Sequence, residues 1–180
     1  IDWNMFGKIA RLGITAGASA PEVLVEEIID AFAQRYAVSV ETISAAVTAA
    51  ETGHLVLSTL HTQNAHQTIE RIIDAYPPAQ QNQIRAMLSN TLQAVVSMIL
   101  MKRQDMPGMV PACEIMVCNA AVRNCIRENR IHEIPNIIET NRQRGMCSLD
   151  DSIKNLYLNG AISWEDAIAK AARPEALHRA

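Results

Sequence analysis

The stretch Gly53-His54-Leu55-Val56-Leu57-Ser58-Thr59-Leu60-His61-Thr62 limits the possible folds more than any other part of the chain. Leu55 to Leu60 is a nearly continuous apolar run, with a helix-stopping glycine before it and polar residues after it. Such a run predicts a short strand buried on both faces of a parallel sheet, which places the chain in the α/β class. His61 and Thr62 then fall at the carboxyl end of that strand, where open α/β sheets place their ligands. His54 enters the strand and His61 leaves it, seven residues on, so both reach that end only if loop geometry carries one across. On pattern alone each histidine is either a hydrogen-bonded structural residue or a catalytic one.

Other features bound the class of protein. With 180 residues the chain can bury a real core, as one domain or one domain with an appendage. A formal net charge of −3 gives no electrostatic footprint for nucleic acid or an anionic membrane. The longest apolar runs, such as Val95 to Met101, are too short to cross a bilayer, so no membrane insertion is expected. The opening Ile1-Asp2-Trp3-Asn4 has neither a basic start nor a following apolar segment; no signal peptide is expected, and the chain reads as a trimmed piece. Cys113, Cys118, Cys125 and Cys147 show no Cys-x-x-Cys pairing. They are expected to be reduced, partly buried thiols of a cytosolic protein, with no metal site.

In chain order, Arg11–Thr15 predicts a strand and Gly17–Ser19 a tight loop, with Pro21 in the first turn of a helix running to about Tyr36. A glycine-serine loop feeding a helix start is a possible anion cradle, though most such loops are only turns. Thr42 can cap a helix to about Thr52, closed by Gly53. Asn64 can cap the next, which turns Ile69, Ile72 and Ile73 inward and is broken by Pro77-Pro78. A helix follows over Ala79–Leu92, then strands over Val95–Met101 and Val110–Val117, antiparallel because the connection is too short for a parallel crossover. Asn119 can cap a helix holding Arg123 and Arg127, four apart on one face, which is otherwise a solvated basic stripe. The remainder is helical: Ile134–Arg142 stopped by Gly145, Ser148 through Leu158, and a variant capping box at Ser163 and Asp166 opening a last helix to about Ala172.

Glu51-Thr52-Gly53-His54-Leu55-Val56, Thr59-Leu60-His61-Thr62, Thr68-Ile69-Glu70-Arg71-Ile72-Ile73-Asp74 and Tyr76-Pro77-Pro78 resemble the histidine-box region of secretion-type motor ATPases, in particular the pilus-retraction ATPases of twitching motility. Ala121-Val122-Arg123-Asn124-Cys125-Ile126-Arg127-Glu128 is similar to that family's retraction motif, with Cys125 where leucine is expected. The resemblance covers about three quarters of the chain, from near Ser44 to the end. It implies a RecA-like P-loop NTPase sheet over 44–134, a helical carboxyl-terminal subdomain over 135–180, and a hexameric motor. That motor would use ATP and magnesium at the inner face of a bacterial membrane, beside pilus platform proteins. It further implies that His61 and His54 sense nucleotide, and that Ala121, Arg123, Asn124, Ile126, Arg127 and Glu128 serve retraction.

A second resemblance covers residues 1–43. Ile14-Thr15-Ala16-Gly17-Ala18-Ser19-Ala20-Pro21-Glu22 and Leu24-Val25 look like the carboxyl-terminal part of hydroxymethylbutenyl diphosphate reductase, an isoprenoid-pathway enzyme. It implies that Ser19 helps hold a diphosphate. That family needs three cysteines for an iron–sulfur cluster, and residues 1–43 contain none. The chain therefore reads as a junction of two unrelated pieces near 40–44; a gene fusion, an assembly error and a constructed sequence would look alike.

A nucleotide motor needs a phosphate loop with a lysine, a carboxylate for magnesium, and cations to offset transition-state charge. None of Lys8, Lys102, Lys154 and Lys170 sits in a Gly-x-x-x-x-Gly-Lys-Ser/Thr loop. No apolar strand ends in an acid, and Glu114 lies inside a strand. The Walker A and Walker B elements lie upstream of the histidine box in the family, where this chain carries the reductase-like segment. The expectation is a partial motor sheet lacking its nucleotide-binding half, with an amino-terminal strand-loop-helix appendage, binding neither ATP nor magnesium by itself. The alternatives are a reductase fragment and a non-enzymatic assembly module. Ser58, His61 and Asp74 could be arranged as a hydrolase triad, but no Gly-x-Ser-x-Gly nucleophile elbow accompanies them.

Overall fold

The computed structural model describes residues 43–177. The expected strand at Arg11–Thr15, the loop at Gly17–Ser19 with Ser19 itself, and the helix after Pro21 lie outside them. Seven α-helices and two strands follow in order: α1 (Ile43–Glu51), α2 (Ala65–Asp74), α3 (Pro78–Thr91), β1 (Ala94–Lys102), β2 (Met109–Val117), α4 (Ala120–Arg127), α5 (Ile134–Thr140), α6 (Leu149–Leu158) and α7 (Trp164–Lys170).

Local side-chain chemistry starts these helices where the sequence places them. Asn64 Oδ1 accepts the Gln67 N–H at 3.0 Å, and Asn119 Oδ1 accepts the Val122 N–H at 3.0 Å. Ser148 Oγ accepts the Asp151 N–H at 3.2 Å, and Ser163 exchanges hydrogen bonds with Asp166 at 3.1 and 2.9 Å. Two helices end two residues short of expectation. α5 stops at Thr140 rather than Arg142, because Asn141 Nδ2 donates back to the Ile137 carbonyl at 2.8 Å and a 3-10 turn closes on Gly145 at φ 82°. α7 stops at Lys170 rather than Ala172, because the Ala172 and Arg173 N–H groups donate to the Asp150 carboxylate at 2.8 and 3.0 Å.

β1 and β2 form an antiparallel hairpin running from Ala94↔Val117 to Lys102↔Met109. The outer edge of β2 is occupied by Cys147, which exchanges backbone hydrogen bonds with Ile115 at 2.8 and 3.0 Å. One face of the hairpin carries two cores. Val95 and Met116 join the first, with Ile69, Ile73, Val122 and Ile126; Met101 and Ala112 join the second, with Ile153, Ile162 and Ala167. Ser97 and Glu114, paired across the strands, sit on that face between the two cores.

The expected strand over Leu55–Leu60 does not form among the described residues. The segment is irregular and mostly half-buried, and the sheet holds only the hairpin. A strand in a parallel sheet takes its ladder from neighbours. Here β1 and β2 pair with each other, and β2 gives its free edge to Cys147. The architecture remains α/β, with an antiparallel rather than a parallel sheet.

Candidate functional site

The histidine segment is fixed at its two ends and unladdered between them. At its start the His54 N–H donates to the Ala49 carbonyl at 3.1 Å, closing α1 beyond Gly53 at φ 101°. The Thr52 hydroxyl donates to the same carbonyl at 2.9 Å, while His54 Nδ1 lies 3.2 Å from it and 3.0 Å from Thr52 Oγ1. His54 is therefore an exposed C-cap, with Nε2 as its free nitrogen. At the other end Thr62 is buried. Thr68 Oγ1 donates to the Asn64 carbonyl at 2.9 Å, which leaves its oxygen to accept the Thr62 hydroxyl at 2.7 Å. His61 stands beside this anchor, exposed and without a hydrogen bond to any described residue. No hydrogen bond among the described residues links His54 to His61.

The motif helix α4 is two-sided. Val122, Cys125 and Ile126 are buried in the first core, while Ala121, Asn124 and Glu128 are exposed. Arg123 and Arg127 share a face, but Arg123 is no solvated stripe. Its Nη1 donates to the Ser89 and Asn90 carbonyls at 2.7 and 2.9 Å, and Nη2 to Gln93 Oε1 at 3.3 Å. These are orphan carbonyls at the C-terminus of α3, where a cation is doubly favoured. Arg127 is exposed and reaches only Ser89 Oγ, at 3.4 Å. Burial, followed by the Glu133 carboxylate, raises the Cys125 thiol above its ordinary range.

Sequence reasoning placed Glu114 inside a strand and gave it no role. Its Oε1 accepts the Ala65 N–H, the first of α2, at 2.7 Å. Burial raises its carboxyl above the ordinary range, against the lowering pull of the Ala65 amide, His66 and the Leu149 amide, while Asp150 raises it further. The available signal was one acid on the core-facing register of an otherwise apolar strand. A cavity of about 240 Å³ between α2, α3 and the turn after α4, lined by Glu70, Ile73, Arg85, Asn129, Ile131 and His132, includes neither box histidine.

No three His, Cys, Asp or Glu side chains among the described residues gather as a metal site. Of the four lysines in the sequence, none lies in a phosphate loop. No described helix is long and apolar enough to cross a membrane.

The family model described as type II/IV secretion system protein matches residues 39–169. The type IV pilus retractation ATPase PilT of Pseudomonas aeruginosa is 46% identical over 135 residues, which are 75% of this chain and 39% of that protein. The crystal structure of the pilus retraction motor PilT with bound ADP superposes with a TM-score of 0.68 at 28% identity, covering 97% of this chain and 57% of that one. The chain thus spans well under two thirds of either. The 4-hydroxy-3-methylbut-2-enyl diphosphate reductase 1 of Bradyrhizobium diazoefficiens is 67% identical over only 46 residues, 26% of this chain and 14% of that protein. Matches to two unrelated families accord with a composite chain, and the longer match covers the histidine segment and α4. By that match the chain belongs to the type II/IV secretion system protein family.

Proposed function

We propose that residues 44–180 are the carboxyl-terminal portion of a hexameric pilus-retraction motor, separated from the half that binds nucleotide. In this reading 44–134 is the histidine-box half of a RecA-like sheet, 135–180 a helical subdomain, and 1–43 a reductase-like appendage. The observation that carries it is the histidine segment anchored at Thr62–Thr68, ahead of a motif helix locked onto α3 by Arg123, in a chain with no phosphate loop. His61 and His54 are the nucleotide-sensing pair. Arg123 and Ile126 set the motif helix, and Ala121, Asn124, Arg127 and Glu128 present its outer face to a partner. The intact motor would work with ATP and magnesium in the cytoplasm, against pilus platform proteins at the inner membrane. This chain alone hydrolyses no ATP, because the electrostatic stabilisation supplied by a phosphate loop and its metal is missing. The reductase alternative draws on a short stretch around Ser19 without the cysteines its cluster requires.

The test is calorimetric titration of the full chain with magnesium–ATP, beside a phosphate-release assay and size-exclusion chromatography. No heat of binding and no phosphate release, with self-association, is the expected outcome. Micromolar binding or steady turnover would refute it.

A further inference from the structure

We propose that Glu114 is a positioning residue that registers the histidine segment against the carboxyl-terminal helical subdomain, by holding the first N–H of α2 and facing the first turn of α6. The four leading N–H groups of a helix have no intrahelical partner. At α2 the Asn64 cap takes Gln67, which leaves Ala65 to Glu114. At α6 the Ser148 cap takes Asp151. On either side of Glu114 the Cys113 N–H donates to Ser152 Oγ at 3.0 Å and Ile115 pairs with Cys147, which lays the first turn of α6 along β2 at Glu114.

Both helix dipoles favour a negative charge there. α2 has no acid in its own first turn, so the charge arrives from β2, 49 residues away. Glu114 also lies on the face between the two cores, opposite Ser97 Oγ, which is fully buried and has no hydrogen-bond partner among the described residues. A carboxylate at that point ties α2, and through Asn64 and Thr68 the Thr62 end of the histidine segment, to the start of α6. The titratable groups acting on it are His66 on α2 and Asp150 on α6; burial and then Asp151 raise the neighbouring Cys147 thiol, and Glu114 adds to that. The inference concerns this chain's own mechanics and stands whether or not any nucleotide binds.

Amide hydrogen exchange on the full chain tests it as a double-mutant cycle. Ser148→Ala loosens the start of α6; in the otherwise unchanged chain it should speed exchange at Ala65 and His66 several-fold relative to α4. In a Glu114→Ala background that transmission should vanish, while Ala65 itself exchanges about tenfold faster from loss of a charge-assisted bond. Glu114→Gln keeps an acceptor and should keep the transmission. The reciprocal change, Asn64→Ala, should speed Leu149 exchange with the same dependence on residue 114. Equal transmission with and without the Glu114 side chain, or none in the unsubstituted chain, would overturn the proposal.

Discussion

Replacing Arg123 by alanine should cost far more than replacing Arg127, although the two stand four apart on one face of α4. Arg123 makes two close charge-assisted bonds, to the Ser89 carbonyl at 2.7 Å and the Asn90 carbonyl at 2.9 Å. Ser89 is buried and Asn90 exposed, so water can replace only the second bond. A buried carbonyl left unpaired costs about 1–3 kcal/mol, and the lost cation at the end of α3 adds about 0.3–1 kcal/mol. The sum for Arg123→Ala is about 1–4 kcal/mol, a large share of the roughly 5–15 kcal/mol that holds a domain folded. Urea unfolding followed by circular dichroism should show the midpoint fall by about 1–2 M at unchanged slope. Arg123→Lys keeps the charge without the fork and should recover about half of the loss. Arg127→Ala, which removes one 3.4 Å contact from an exposed side chain, should stay within about 0.5 kcal/mol of the unsubstituted chain. Equal losses from Arg123→Ala and Arg127→Ala would show that helix charge, and not closure of α3, sets the effect.

Asn119→Ala, which frees the Val122 N–H at the start of α4, should cost about 1 kcal/mol in the same urea assay, and Asn119→Asp should cost a small fraction of that. Burial pushes the Cys118 thiol up to about 12, so alkylation at pH 8 should leave it unmodified in the folded chain and modify it readily in urea. Because burial raises the Glu114 carboxyl above its ordinary range, the folded chain binds that proton more tightly than the unfolded one. Burial therefore makes the ionised form costly, although the ionised carboxylate still holds the Ala65 N–H. With respect to this group the chain is most stable below the ordinary carboxylate pKa and loses stability as pH rises through the raised value, and Glu114→Gln should flatten that part of the stability–pH curve. Val96, Met98 and Leu100 lie on the face of β1 that joins neither core, so Met98→Lys should reduce light scattering by the full chain while moving its urea midpoint little; a large midpoint drop would show that face to be packed.

Much of this fold was legible because much of it is local. A cap is decided by a side-chain oxygen two or three residues from a free N–H, and Asn64, Asn119, Ser148 and Ser163 all stand where that rule puts them. The hairpin was legible from two apolar runs joined by a connection too short for a crossover. What failed was long-range. Whether Leu55–Leu60 becomes a strand depends on neighbours that its own sequence does not name. The end of α7 is set by Asp150, twenty-two residues earlier, and the end of α3 by Arg123, thirty-four residues on from Ser89. The candidate site follows the same division: Thr52 and His54 close α1 by local rules, whereas the role of Glu114 needs the fold to bring β2 beneath α2.

Those long-range contacts share one form. Arg123 closes the carbonyl end of α3, Glu114 the amide end of α2, and Asp150 the amides that follow α7. In each, a charged side chain from one element satisfies backbone groups that another element leaves open, and for Arg123 and Glu114 the sign also matches the helix dipole. A two-stranded hairpin is marginal by itself and stands when helices pack against it. Charges at the ends fix where those helices sit, which buried isoleucines alone do not, because apolar contact is non-directional. The histidine segment has its position from the same source: its Thr62 end is bonded to α2 through Thr68, and α2 is bonded to the sheet through Glu114.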